Sequence, residues 1–454
     1  TLSSSSAASD VYKRQIEKFS GEFLMLYDRY GMELSTSSSV ARDAYVNAVD
    51  AVLSATGDAE ALVQTSIQAD PEFALSYAVL ARIQQLSGRM PEAKASGEKA
   101  VELAKKATDR EKQHALVFQL LTSGQGPKGL ELIRSHVQQY QRDAFVLAPA
   151  CSVFGLIGFS GRVEREDEQV SLLKPLVKAY GDDWWFLTVY AFALVEIGEW
   201  KHGRDLVERA LEQKPRSAHT AHVRAHALYE AGEDQLLANY LEGWLPDYPS
   251  DCPLSCHVWW HLCLAKLMIG DHQSIFDIYD QHCAPGNTTS PSINVFTDGA
   301  SLLWRSELAG IERSHDRWEA LLDYRNSSFP KPMVFVDAHG ALPAVALGNK
   351  TDLDEWHDQV LEAGNNGKLP AGHIPVELAK AFSSHAKGDW SSVISILEPI
   401  STDVVRIGGS RAQRDLIQNT LLSALIQDGR PEAARSFLNA QSDRAQTVPI
   451  SGFN

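Results

Sequence analysis

The chain has 454 residues, a formal net charge of −16 and no run rich in lysine or arginine. Its electrostatics therefore exclude nucleic acid and acidic membrane surfaces as partners and favour neutral, cationic or small ones. That length exceeds what one hydrophobic core supports, so the chain either divides into domains or is a solenoid whose core grows with each repeat.

Residues 1–15, TLSSSSAASDVYKRQ, lack an initiator methionine and read as translated adapter sequence at the end of an assembled metagenomic fragment, an extraneous or disordered tail. They have no basic region followed by an apolar core, so they are not a secretory signal. The remainder, 16–454, reads as a single superhelical domain. From Glu17 to about Ser54 the apolar pattern is helical, with Ser35 to Ser39 as a cap region before a helix carrying Tyr45, Val46 and Val49. Asp70-Pro71 then opens a helix-turn-helix repeat in which Gly88 ends the first helix and Ala93 and Ala100 take the close-packed positions of the second.

Thr108 starts another helix with a good cap, placing Arg110 and His114 four apart on one face. The segment Ala144 to Phe159 is the most apolar stretch, but it contains Pro149 and two glycines and is shorter than the roughly 20 residues that span a bilayer. It predicts a packed helix pair, followed by a turn or helix start at Gly161 to Glu168.

Gly198, Gly232 and Gly270 are spaced by 34 and 38 residues, and 34 is the period of the tetratricopeptide helix-turn-helix. With each glycine ending a first helix, Ala210 and Pro215 fall on the small residue and terminal proline of the second, and Trp259 on the aromatic position of the next. Between Ser217 and His272 lie six of the fifteen histidines. On a helix over 218–231, His219, His222, His226 and Glu230 share a sector about 80° wide. In such repeats that face lines the concave groove, to which Trp185, Thr188, Phe192 and Glu196 come from the preceding repeat and His257 and Trp260 from the following one.

After Gly270 the period loosens. A proline and asparagine loop leads into a helix pair with Asp298, Trp304, Arg305 and Trp318, then a segment with Asp337 and His339, then a loop from Gly364 to Gly372. Repeats return at Gly388 and Gly429. The fold expected is all-α: an α-solenoid of tetratricopeptide-like repeats forming a right-handed superhelix around a central groove or pocket. Five cysteines, Cys151, Cys252, Cys256, Cys263 and Cys283, are too few and too odd in number for a disulfide framework. A reducing compartment fits them best, and the Cys252 and Cys256 pair, without a second pair to complete a structural zinc site, reads as buried small residues.

Eight motifs occur in one order along the chain: RExxH at Arg110 to His114, HxxxH at His222 to His226, HxxWH at His257 to His261, YD at Tyr279-Asp280, LLWR at Leu302 to Arg305, RW at Arg317-Trp318, DxH at Asp337 to His339 and IGGSxAQRD at Ile407 to Asp415. Together they resemble the tetratricopeptide repeat protein 38 family over about residues 30–440. The resemblance implies an intracellular, all-helical superhelix and little about activity. Ser306 and Arg411 depart from the family's usual aliphatic and small polar residues.

The candidate chemistry centres on His222, His226, His257, Asp337 and His339. Two histidines four apart on a helix present two nitrogens to one ion, with Glu196, Glu230, His257 or Asp337 available to complete a shell. Metal-free acid/base work needs only one imidazole with a pKa near neutrality beside a carboxylate, and it is placed ahead of metal; no cofactor is specified. Trp185, Glu196, Glu230, Trp260, His261, Arg305, Ser410 and Arg414 are the candidate substrate-binding residues. Trp185 and Trp260 suit an apolar or cationic ligand. Arg305 needs a carboxylate, from Asp298, Asp337 or substrate. The segment Arg406 to Asp415 is either an anion site at a helix start or a capped helix with Arg414 and Asp415 in structural ion pairs. The function expected is hydrolase or lyase chemistry on a small polar ligand, in the cytoplasm, with homo-oligomerisation left open. The other reading is a non-catalytic scaffold that binds a peptide in the groove, but peptide-clamping grooves need lysine and arginine where this chain carries histidine, tryptophan and glutamate.

Overall fold

The computed structural model describes residues 25–441, 443–444 and 447–453; the tail expected at 1–15 lies outside them. The chain groups into two compact units, one of residues 25–50, 58–85 and 89–125, the other of 51–57, 86–88 and the described residues from 126 onward.

The first unit opens with two short antiparallel strands, β1 (Leu26–Tyr27) and β2 (Glu33–Leu34), where the apolar pattern predicts helix. The reason is local. Asp28 accepts hydrogen bonds at Oδ1 from the amides of Tyr30 and Met32, both at 2.8 Å, and so closes a turn between the strands. Part of that helical expectation, 17–24, lies outside the described residues. Helices α1 (Ser39–Ser54), α2 (Ala59–Ala69), α3 (Ala74–Leu86), α4 (Met90–Ala104) and α5 (Asp109–Thr122) follow. Thr108 caps α5 in a reciprocal box with Glu111. Ala93 and Ala100 are fully buried, as close packing of a second helix requires.

In the second unit, α6 (Gly126–Gln139) precedes a single turn of helix, α7 (Ala144–Leu147). The helix pair predicted over Ala144 to Phe159 does not form. Pro149 contributes no amide donor, and the backbone then folds so tightly that a Cβ on Gly155 would lie 2.3 Å from the Cys151 carbonyl and one on Gly158 2.1 Å from that of Val153. Helices α8 (Arg165–Leu173) and α9 (Val177–Tyr180) lead into regular pairs: α10 (Trp184–Glu196) with α11 (Trp200–Gln213), α12 (Ala218–Ala231) with α13 (Asp234–Trp244), α14 (Ser255–Met268) with α15 (His272–His282), and α16 (Ser292–Leu308) with α17 (His315–Ser328). Beyond α18 (Val336–His339) come α19 (Leu342–Leu347) with α20 (Lys350–Asn365), α21 (Ile374–Ala386) with α22 (Trp390–Ile400), and α23 (Arg411–Gln427) with α24 (Pro431–Asn439).

The two helices of a pair differ in kind. Twelve of the thirteen residues of α10 are buried, whereas α11 buries only Gly203, Leu206, Val207 and Ala210. First helices are thus wrapped by protein, and second helices present one apolar stripe inward. Gly88, Gly198, Gly232, Gly270 and Gly388 all follow first helices with positive φ, as the repeat register predicts. This is an all-α, tetratricopeptide-like solenoid fold, and β1 and β2 are the strands among the described residues. No helix there is long and apolar enough to cross a membrane.

Candidate functional site

Helices α12 and α14 are neighbours as the first helices of successive repeats, and each carries histidines four residues apart. Ser217 caps α12 by accepting from the Thr220 amide. Ala218, Ala221, Ala225 and Leu228 pack one face of that helix with no exposure at all. The opposite face is buried too, and it holds His222 and His226. From α14 come His257 and His261.

These four imidazoles form one cluster. The Nε2 of His222 lies 2.8 Å from that of His226 and 2.9 Å from that of His257. The His261 ring centroid is 5.1, 4.5 and 4.9 Å from those of His222, His226 and His257. One nitrogen from each of the four can be chosen so that all lie within 4.8 Å of one another. His226 and His261 are essentially inaccessible, and His222 and His257 nearly so. Burial, reinforced by the neighbouring imidazoles, holds His222, His226 and His261 well below the ordinary imidazole range, so these rings are neutral at physiological pH.

Two carboxylates flank the cluster. Asp298 of α16 accepts at Oδ2 from His257 Nδ1 at 2.7 Å, and at Oδ1 from the Gln413 side-chain amide at 3.3 Å. Glu196, at the end of α10, accepts the Arg411 backbone amide at 2.8 Å with Oε2, while its Oε1 faces His226 Nδ1 across 3.8 Å without a hydrogen bond. Burial first, then Glu166, pushes the Glu196 carboxyl up to about 7 against the pull of Arg414. Rings complete the walls. Trp260 stacks on His257 at 5.3 Å with 15° between planes, and Phe192 lies against His222 and His226.

Of the expected catalytic residues, His222, His226 and His257 meet. Asp337 and His339 make no hydrogen bond or ring contact with them among the described residues. His339 donates from Nδ1 to the Phe335 carbonyl at 2.8 Å, and burial lowers its pKa to about 4 against the opposing pull of the Asp298 charge. Asp337 accepts from the Ala338 amide, its Oδ2 is buried without a hydrogen-bond partner among the described residues, and burial raises its pKa to about 7. Arg305 is paired with neither Asp298 nor Asp337. It donates to the Tyr229 hydroxyl at 2.7 Å and the Ala412 carbonyl at 2.9 Å. Trp185 is buried beside Tyr180 and Trp260 beside His257 and His261; these rings pack the interior instead of facing an open groove.

The segment Arg406 to Asp415 resolves into a capped helix. Ser410 caps α23 in a reciprocal box with Gln413, and Arg414 pairs with Glu166 at 2.5 Å. The carboxylate expected at this helix start is supplied by the chain's own Glu196. Gly409 is a packing requirement, because a Cβ there would lie 2.4 Å from the Phe335 ring.

A network that sequence reasoning missed adjoins the cluster. Arg444 holds Asp415 with two hydrogen bonds of 2.7 and 2.6 Å and reaches Glu230 at 2.8 and 2.9 Å. Tyr229 donates to Asp415 at 2.8 Å. Beside it lies a cavity of about 230 Å³, lined by Glu166, Arg411, Arg414, Asp415, Gln418 and Arg444 among others. Glu196 touches two residues of that lining, Arg411 and Arg414, and faces His226 of the cluster.

The fold and site together define a tetratricopeptide-like helical-repeat protein with a buried four-histidine cluster. No protein-family model matches the chain. Among solved structures it is similar to yeast Tom70, with TM-score 0.37 and 14% identity over 90% of this chain and 84% of that one. It is also similar to a structure of Naa15/Naa10 bound to HypK-THB, with TM-score 0.25 and 12% identity over 89% of this chain; there it spans 63% of the other chain's length.

Proposed function

We propose that this helical-repeat protein, similar in its motifs to the tetratricopeptide repeat protein 38 family, is an enzyme of hydrolase or lyase type acting on a small polar molecule. The observation that carries the reading is the position of Glu196, which touches Arg411 and Arg414 of a polar cavity's lining and faces His226 of the buried imidazole cluster. A cavity of about 230 Å³ suits a small ligand, and its arginine and carboxylate lining suits polar groups of either sign. Neutral imidazoles bind metal or activate a ligand, and ionisable groups perturbed by burial cluster at functional sites. An imidazole poised near neutrality, as the sequence reading expects, is not what His226 offers, because burial holds it well below that range. His226 and His257, each facing a carboxylate through Nδ1, are the groups we assign to ligand activation.

The test is turnover of a panel of small esters, amides and phosphomonoesters by the purified chain. We expect activity that is lost in His226→Ala and His257→Ala while circular dichroism stays helical. Activity undiminished in both variants would remove the cluster from the mechanism. An inert wild type would leave a scaffold that binds a partner without chemistry.

A further inference from the structure

The geometry points to a metal centre: we propose that His222, His226, His257 and His261 together bind one borderline divalent transition ion, of the zinc, iron, nickel and copper group. The inference deepens the proposed function, because it names the agent at that same site, but its argument is independent of any turnover.

The neighbours of each ring decide where its proton sits. Asp298 is surrounded by donors: the Gln413 amide at 3.3 Å, the Asn294 amide at 3.5 Å and the Nδ1 of His257 at 2.7 Å. A carboxylate in that setting accepts only, so His257 carries its proton on Nδ1 and its lone pair on Nε2. On the other helix, the Nδ1 of His226 faces the Oε1 of Glu196 across 3.8 Å, and a proton on that Nδ1 leaves the His226 lone pair on Nε2. Both lone pairs then converge on the Nε2 of His222, at 2.9 and 2.8 Å. A neutral imidazole has one proton to offer there, and two acceptors await it. A cation satisfies all three nitrogens at once.

His261 is the second, independent observation. It is wholly buried, both of its ring nitrogens lack a hydrogen-bond partner among the described residues, and its ring lies against the other three. Leaving such a group unpaired in the interior costs about 1–3 kcal/mol. Coordination of one nitrogen supplies the missing partner. Histidines spaced by four on α12 and again on α14 deliver two nitrogens per helix, since residues at that spacing share a face.

Ligand type narrows the ion. Four imidazoles, without thiolate and without a directly placed carboxylate, suit zinc, copper, iron or nickel and not the oxygen-seeking magnesium or calcium. Behind the ligands, Asp298 orients His257 in the manner of a carboxylate–histidine–metal relay, and Glu196 faces His226. Two flanking carboxylates also balance a divalent charge that four neutral ligands leave uncompensated.

The experiment uses the full chain and the metal alone. Elemental analysis of protein as purified, followed by chelation and titration with zinc and with cobalt(II) as a spectroscopic probe, should give about one ion per chain and a cobalt spectrum of nitrogen ligation. His222→Ala and His261→Ala should lose that spectrum, while His272→Ala, on the surface of α15, keeps it. Asp298→Asn, which spares every ligand, should weaken zinc binding about 10–100-fold and serves if the alanine variants fail to fold. Zinc affinity equal in the wild type, the His222 and His261 variants and Asp298→Asn overturns the proposal. Metal bound at the cluster without turnover of any substrate leaves this inference standing and removes the enzyme reading. A cluster that takes up neither zinc nor cobalt in a protein that turns substrate over does the reverse.

Discussion

The Nε2 atoms of His222 and His257, 35 residues apart and on different repeats, lie 2.9 Å from each other. Both rings are buried, so the relationship makes the stability of the larger unit depend on what the cluster binds. An ion that binds the folded cluster and not the unfolded chain adds about 2.7 kcal/mol at a concentration 100 times its dissociation constant. Zinc added to chelated protein should therefore raise Tm by several degrees in the wild type and leave His222→Ala unmoved. Calorimetry with and without the ion checks this, and equal shifts in both proteins would contradict it.

Arg444 is the second dependence. It sits between two carboxylates, Glu230 and Asp415, that are almost wholly buried, and its own side chain is 10% exposed. Burial alone would lower the guanidinium's pKa, but Asp415 and Glu230 overcome it and hold the group well above its ordinary range. Arg444→Ala leaves two carboxylates without that partner, a loss of about 3–5 kcal/mol for a broken buried pair. Arg444→Lys should recover only part of it, since one ammonium cannot reproduce the two-pronged contact with Asp415. Denaturant midpoints read both values, and a cost below about 1 kcal/mol for the alanine variant would show that the pairs contribute as little as exposed ones do.

How much of this was legible in the sequence follows from what each feature depends on. The pairs around Gly198, Gly232 and Gly270 were readable because glycine spacing and apolar periodicity are local. So was the Thr108 cap, which needs only neighbouring residues. The strands at Leu26–Tyr27 and Glu33–Leu34 escaped because the Asp28 side chain overrides an apolar pattern. The helix pair at 144–159 failed because Pro149 and two close backbone approaches outweigh hydrophobicity. The meeting of His222 and His226 with His257 was legible, since the repeat register puts equivalent positions side by side. Asp298 on His257 and Arg444 on Glu230 were not, because no periodicity links partners 41 and 214 residues apart. The available signal was generic: a buried arginine or histidine needs a carboxylate.

Asp337 makes stability depend on pH. Burial raises its carboxyl from 3.8 to about 7 despite hydrogen bonds from backbone amides. The folded state thus keeps a proton that the unfolded chain has released, and between those values protonation favours the fold. Stability contributed by this group is present at low pH and is lost as pH rises toward and through 7. The full change is roughly 4 kcal/mol. Asp337→Asn, which cannot ionise, should flatten that part of the curve and be more stable than the wild type near pH 8. Denaturation midpoints at intervals from pH 5 to pH 8 decide it; parallel curves for the two proteins would show that Asp337 titrates normally.

Two glycines inside helices should respond to alanine with opposite sign. Gly203, on α11, faces α10 so closely that a Cβ would stand 2.6 Å from Val195 Cγ2 and 2.8 Å from the Ala191 carbonyl oxygen. The valine methyl can turn away, but the backbone oxygen cannot, so Gly203→Ala must push apart α11 and the helix that carries Glu196. Overpacking of that kind costs about 1–3 kcal/mol, and because Glu196 ends α10, the variant should also disturb whatever the histidine cluster binds. At Gly243, near the end of α13, an added Cβ would meet nothing within 4 Å. There the gain in helix propensity stands alone, and Gly243→Ala should stabilise by roughly 0.5 kcal/mol. Chemical denaturation of both variants, with zinc titration of each, separates the effects: loss of stability and weakened binding in the first, a small gain and unchanged binding in the second. A Gly203→Ala protein as stable as the wild type would mean that α10 and α11 slide apart freely, and the rigid placement of Glu196 beside His226 would have to be given up.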